Sequence, residues 1–438
     1  MAVINNIKQT TIVNSIKLKS NFSFFIFHFS FKKYFSFKKV FGLFFIFHFS
    51  FLTYSQSLKD YIEIAKTNNS KIKVNTSNFN LANEKVNQVS YKNTTISAGI
   101  FALTPETRVG SQLFKVGISQ KLPWLGELSA QKDNYKAKAD VEKFNIDLSE
   151  KDIAFKVRQA YYKIYEELAK TEVLKENKLI LKTYERMALA ALSNNRATMS
   201  DVLRIRVQKN ELHSKTFQNI NSIAVLSKNF NQLLERDLDL SLNVLDSLNV
   251  LDILSADKGF ENHPLLQKIT AKEQVYKTEN KRISIDKKPK LNVGLDYVFV
   301  NGYTDINPNQ NGKDVLMPKI ALSIPIFNKK YKSQYKQVKI KQEILQEELK
   351  AQKTNLKIAL NQAKLDLDNA ILTVVAAQKN KTEIQRAINV DLKAYETGIL
   401  DYDKILRLQL QKIRFQLMEI TAIKNAFITK AKIEYLTE

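Results

Sequence analysis

Val202-Leu203-Arg204-Ile205-Arg206-Val207-Gln208-Lys209 is echoed 203 residues later by Ile405-Leu406-Arg407-Leu408-Gln409-Leu410-Gln411-Lys412. The same shift lays Asn194-Asn195-Arg196 over Thr397-Gly398-Ile399, so Asn195 answers to Gly398. Asn and Gly are the residues that most readily take a left-handed backbone and end a helix. The chain therefore states one plan twice: long helix, tight turn, returning helix. A self-similarity of this length sets the architecture ahead of any single motif.

Outward from the two turns, residues 127–193 and 330–396 contain neither Pro nor Gly, so nothing in them forces a break. At 1.5 Å per residue each spans on the order of 100 Å. Helices return over 200–234, with Ser200 as the expected N-cap, and over 402–436. The first long helix and its return form a hairpin over 127–234, and the second pair one over 330–436. In the second, Leu360, Leu367, Val374, Ile388 and Tyr395 fall in one seven-residue row, and Leu356, Ala363, Ala370, Ala377 and Ile384 in another. The shift of 203 carries these rows onto Val157 and Ile164, and onto Ile153, Ala160, Leu174 and Leu181. Sustained heptads imply knobs-into-holes packing, and these rows are read as core and not as a cofactor site.

Ahead of each hairpin the period changes to two, which is the strand signal. Strands are expected over about 95–103 and 112–122, and again over 291–299 and 319–327. In the second strand Phe114, Val116, Ile118 and Leu122 share a face, opposite Lys115, Gly117, Ser119 and Lys121. In the third, Leu291, Val293, Leu295, Tyr297 and Phe299 oppose Asn292, Gly294, Asp296 and Val298; in the fourth, Ile320, Leu322, Ile324 and Ile326 oppose Lys319, Ala321 and Ser323. Such faces suit a half-buried sheet or a membrane barrel with a wet interior. Four strands cannot close a barrel alone, because transmembrane barrels need at least about eight. The alternatives are a small soluble sheet, or one barrel shared by several chains, twelve strands from three copies.

Residues 1–55 read as a leader, with Lys38 and Lys39 ahead of an apolar core, 40–52, and a small-residue exit near Ser55. The first structural repeat is placed at 56–256, ending in a duplicated Ser-Leu-Asn-Val-Leu-Asp connector at 241–252, and the second at 257–438. The net charge is +24; seven lysines precede residue 56 with no acidic residue beside them, leaving about +17 spread over helices. No basic cluster interleaved with aromatics stands outside the leader, which argues against nucleic-acid binding. There is no Cys and only four His, so disulfides, thiolate metal sites and His-based triads lack material. No cofactor or metal is expected, and with no phosphate loop or nucleophile elbow, no enzyme.

The order of elements, the repeat, Pro123-Trp124, Ile324-Pro325-Ile326-Phe327 and Asn262-His263-Pro264-Leu265 resemble the TolC family of outer-membrane efflux proteins. The most family-like pieces are the turns, where a Gly is followed a few residues on by Asp-Val-Leu. Here Asn195 replaces Gly ahead of Asp201-Val202-Leu203, and Gly398 precedes Lys404-Ile405-Leu406, which departs from Asp-Val-Leu.

The resemblance implies a mainly α fold with a membrane β-barrel portion, built from a strand pair and a long helical hairpin, twice, with four strands per chain in a homotrimeric channel. It implies a passive exit duct in the outer membrane of a Gram-negative bacterium, docked on a periplasmic adaptor and an inner-membrane pump. Phe114, Val116, Ile118, Leu291, Val293, Leu295, Ile320, Leu322 and Ile324 would meet outer-membrane lipid, while Lys115, Ser119, Lys121, Asn292 and Asp296 would face the lumen. The periplasmic tip would comprise Asn194, Asn195, Arg196, Thr198, Ser200 and Asp201 with Thr397, Gly398, Ile399, Asp401 and Asp403. Asp401 and Asp403 would form an acidic ring that favours cations, or serve only as acids at a helix N-terminus. The competing expectation is a soluble periplasmic coiled-coil adaptor or scaffold.

Overall fold

The structure is a computed structural model that describes residues 57–245, 247–249, 253, 259–397 and 402–437. The expected leader lies outside these residues, as does part of the duplicated connector.

Two short helices, α1 (Leu58–Asn68) and α2 (Ser70–Asn87), lead into strands β1 (Thr95–Ile100), β2 (Glu106–Thr107) and β3 (Gly110–Leu122). Helices α3 (Glu127–Ser193) and α4 (Met199–Leu233) form the first hairpin. The plan then recurs with α5 (Pro264–Asp286), β4 (Lys290–Asn301), β5 (Val315–Ser323), α6 (Lys329–Glu396) and α7 (Tyr402–Thr437). The fold is mainly helical with one antiparallel sheet, and α3 and α6 run 67 and 68 residues without interruption.

Local chemistry explains the boundaries. Ser57 and Asp60 form a reciprocal capping box that opens α1. Pro264 occupies the first turn of α5, where a missing N–H costs nothing, and His263 Nδ1 caps it by accepting from the Leu265 N–H at 3.2 Å. Gly126 takes φ +82 to turn the chain from β3 into α3.

The heptad rows are the core. Ile153, Val157, Ile164, Leu174, Leu181, Leu356, Leu360, Ala363, Ala370, Val374, Ala377, Ile384 and Ile388 are all buried. Midway along the hairpins, Tyr61 of α1, Tyr161 of α3 and Phe230 of α4 form an aromatic knot, with Tyr61 edge-on to Phe230 at 5.2 Å. The connector lies on this knot: the Tyr61 and Tyr161 hydroxyls accept from the Asn243 and Leu245 N–H groups, each at 2.9 Å. Further along, Asn177 of α3 is buried among α7 side chains; it accepts from Gln409 at 2.6 Å and donates to Gln416 at 3.0 Å. Such an amide layer fixes the axial register of two helices that apolar rows alone would allow to slide.

The sheet order is β1-β3-β4-β5, all antiparallel, with the two-residue β2 on β3. The β3–β4 pairing joins the two sequence repeats in one sheet. Two strands depart from expectation. β1 ends at Ile100, before 101–103. β5 spans Val315–Ser323 and not 319–327: its Val315-to-Met317 segment pairs with β4, and the pairing stops at Ser323, opposite Lys290 at the start of β4. Ile324 therefore lies just past the strand. Ser200 also falls inside α4, because Thr198 is the N-cap, forming a capping box with Asp201.

Candidate functional site

Directly paired residues of antiparallel strands project to one side of the sheet, so the register assigns the faces. Ile96, Ala98 and Ile100 pair with Ile118, Val116 and Phe114. Those three in turn pair with Leu295, Tyr297 and Phe299, and further along β4 Leu291 and Val293 pair with Leu322 and Ile320. This face is apolar across all four long strands apart from Gln120, which pairs with Val293 between Ile118 and Leu122, and Phe114 stacks on Phe299 at 4.1 Å. Nothing among the described residues covers it: Ile100 is 86% exposed and Ile320 79%.

The opposite face carries Ser97, Gly99, Lys115, Gly117, Ser119 and Lys121, then Asn292, Gly294, Asp296, Lys319 and Ala321. Its centre is Asp296, buried between Lys115 Nζ at 3.8 Å and Lys319 Nζ at 2.5 Å. Gly117 makes the space for that carboxylate, since a Cβ there would sit 2.2 Å from Asp296 Oδ1. The role of Gly117 is invisible in sequence, because it depends on the register that sets β3 against β4.

At the loop end of the sheet, away from the helices, Asp314 receives the Val300 N–H at 2.9 Å and the Tyr297 hydroxyl at 2.7 Å. The two hairpin loops are tied together where the Gly312 N–H donates to the Val109 carbonyl at 2.7 Å. At the junction of sheet and helices, Lys290 at the start of β4 donates to Glu127 at the start of α3 at 2.7 Å.

The far end of the hairpins gathers the tip residues. Asn195 sits at φ 56, and its N–H and that of Arg196 return to the Leu192 and Ala191 carbonyls, closing α3. Thr198 then opens α4: its N–H and hydroxyl donate to Asp201 at 2.9 and 2.7 Å. The Thr198 hydroxyl, with burial opposing and the Thr198 N–H assisting, holds the Asp201 carboxyl below the usual carboxylate range. Asn194 Nδ2 donates to the Ala190 carbonyl at 2.8 Å, and Ser200 is exposed. On the second hairpin Thr397 closes α6 against the Lys393 and Ala394 carbonyls. Gly398, Ile399 and Asp401 lie outside the described residues.

Asp403 is described, and two guanidinium groups engage it: Arg204 Nη1 at 3.1 Å from α4 and Arg407 Nη2 at 2.5 Å from its own helix. The acid expected to contribute to an open ring is neutralised and joins the two hairpins. Beneath it Tyr184, Tyr395 and Tyr402 stack edge to face at 5.6 Å, over Leu181, Val202, Ile205 and Ile405. Burial pushes the Tyr402 hydroxyl far above the ordinary tyrosine range, so it stays protonated. The signal for this contact was present in the sequence, since Arg204 and Arg407 occupy the same place in the 203-residue repeat. Their shared acid has no counterpart, because Ser200 stands where the second copy has Asp403.

One feature carries no trace in the core heptads. Ile344, Ala351, Ile358, Leu365 and Leu372 form a third seven-residue row on α6, and all five are exposed. No helix among the described residues is long and apolar enough to cross a membrane.

No protein-family model and no curated protein matches the sequence. Solved structures do match in fold. The CusC channel aligns over 86% of this chain and 91% of its own, with TM-score 0.70 and 14% identity. The outer-membrane protein VceC of Vibrio cholerae gives 0.67 at 10% identity over 87% of this chain and 96% of its own. The Campylobacter jejuni CmeC outer-membrane channel gives 0.66 at 11% identity, over 87% and 85%. These structures are TolC-family outer-membrane channels, and the chain has their fold.

Proposed function

We propose, from the TolC-family channel fold that this chain carries, that it is the outer-membrane exit duct of a Gram-negative efflux or secretion system. Three copies would close one twelve-stranded barrel on a long periplasmic helical tunnel. The single observation that carries this reading is the sheet. Among the described residues one face is apolar but for Gln120 and is left uncovered, and β1 and β5 are both unpaired edges. In water such a face and such edges invite aggregation; in lipid each unpaired backbone group costs several kcal/mol, so the edges must meet other strands. A ring of copies, β5 of one against β1 of the next, satisfies both demands. Phe114, Val116, Ile118, Leu291, Val293, Leu295, Ile320 and Leu322 then meet lipid, with Ile324 at the barrel rim. Lys115, Ser119, Lys121, Asn292 and Asp296 line the lumen. The exposed α6 row supports the same assembly, since it offers a neighbouring copy a second heptad seam.

The tip, from Asn194 to Asp201 and from Thr397 to Asp403, is the surface proposed to dock on a periplasmic adaptor of an inner-membrane pump. The duct selects passage by opening and does no covalent chemistry. Outer-membrane fractionation followed by native mass spectrometry in detergent tests the assembly. A trimer in the outer-membrane extract is expected; a soluble periplasmic monomer would overturn the duct and favour a coiled-coil adaptor.

A further inference from the structure

The charged side chains on the polar face of the sheet do not balance. We propose that the barrel lumen is electropositive and favours anionic solutes over cationic ones, an inference that rests on the duct reading above. Four charged groups stand on this face within the strands, Lys115, Lys121, Asp296 and Lys319. Lys290, at the first position of β4, is set apart, because Glu127 and Asp286 hold it at 2.7 and 3.8 Å.

The arrangement of the four decides what a solute meets. The Asp296 side chain is 2% exposed, whereas those of Lys115 and Lys319 are 44% and 42% exposed. The notch at Gly117 draws the carboxylate down against the backbone, and the two ammonium groups rise over it. The acid anchors the lysines and withdraws its own charge from the water-filled side. Lys121 stands on the same face, exposed, and no carboxylate among the described residues lies within ion-pair reach of it. Three lysines against one buried acid leave two positive charges per chain, and threefold symmetry turns each lysine into a ring. Rings of lysine in a pore favour anions, and the low-dielectric wall formed by the apolar face and lipid focuses the field into the lumen. The tip supplies no opposing carboxylate at Asp403, which Arg204 and Arg407 neutralise.

The experiment uses the full-length trimer in planar bilayers under a KCl gradient, at a salt concentration on the order of 0.1 M, where the Debye length is about 10 Å and lumen charges are not fully screened. The wild-type reversal potential is expected on the anion-selective side. Lys121→Glu, at an exposed position without an ion pair among the described residues, is expected to still assemble into a conducting trimer and to lower the chloride-to-potassium permeability ratio by about twofold or more. Lys115→Gln with Lys319→Gln tests the paired lysines in the same background, so that charges elsewhere in the tunnel cancel. A conducting wild-type channel that prefers cations, or an unchanged ratio in Lys121→Glu, overturns the electropositive lumen and leaves the duct standing. A trimer that never conducts overturns the duct reading and this inference together.

Discussion

Arg204 on the first helical hairpin donates to Asp403 on the second at 3.1 Å, although the two residues lie 199 positions apart in the chain. Arg407 holds the other carboxylate oxygen, so a single acid fastens the hairpins to each other at the tip. The arginines are largely exposed, and pairs of this kind contribute about 0.2–1 kcal/mol. That is too little to hold the fold and, in the proposed duct, enough to favour a closed arrangement of the tip over an open one. Asp403→Ala is therefore expected to leave the thermal unfolding midpoint nearly unchanged and to raise open-channel probability in planar bilayers. Conductance identical to wild type would remove Asp403 as a latch.

His263 predicts a pH dependence. Burial first, then the Lys151 charge, push its imidazole down to about 4 from an ordinary value of 6.5. The folded chain keeps the ring neutral, while the unfolded chain takes up a proton below pH 6.5. The contribution to stability is complete above pH 6.5 and is lost as the pH falls toward 4, by about 3 kcal/mol at most. Chemical denaturation at pH 7.5 and pH 4.5 measures the difference. His263→Asn retains an N-cap acceptor without a titrating group, and its unfolding free energy should change less between the two pH values.

Gly117 and Asp296 form a coupled pair in the sheet. In Gly117→Ala the new methyl would meet the carboxylate at 2.2 Å, and overpacking of this kind costs about 1–3 kcal/mol. Heat dissociation of the assembled protein should move to lower temperature. Adding Asp296→Ala removes the clash and should recover part of the loss, whereas fully additive effects would disprove the coupling.

The exposed α6 row separates assembly from folding. Leu365→Asp places a charge on a surface that no described residue covers, so the helical circular-dichroism signal of the protomer should persist while the trimer is lost on native mass spectrometry. A trimer of normal stability would show that the row faces solvent after assembly. Leu181→Ala is the contrasting case: Leu181 is completely buried in the tip core, and its truncation should destabilise the protomer by about 2–5 kcal/mol.

What was legible in the sequence is what local physics writes there. The heptad rows through Val157 and Leu360 specified two helical hairpins, because burial of one helical stripe imposes its period on the chain whatever the partner is. Period two in β3 and β4 gave their faces, and Asn195 gave the left-handed turn, since each depends on a residue and its immediate neighbours. The tip chemistry was half legible: Arg204 and Arg407 stood at equivalent repeat positions, but neither declared which acid it would hold.

The sequence by itself determined the repeat, the lengths of α3 and α6, and the apolar rows of the sheet. Only the tertiary structure decided that β3 pairs with β4 across the repeat, that β5 begins at Val315, that Gly117 houses Asp296, and that Arg204 reaches Asp403. The physical reason is range. Periodicity and turn conformation are set by residues within a few positions of each other, whereas strand register and ion-pair partners are fixed only after distant segments have paid the entropy of meeting.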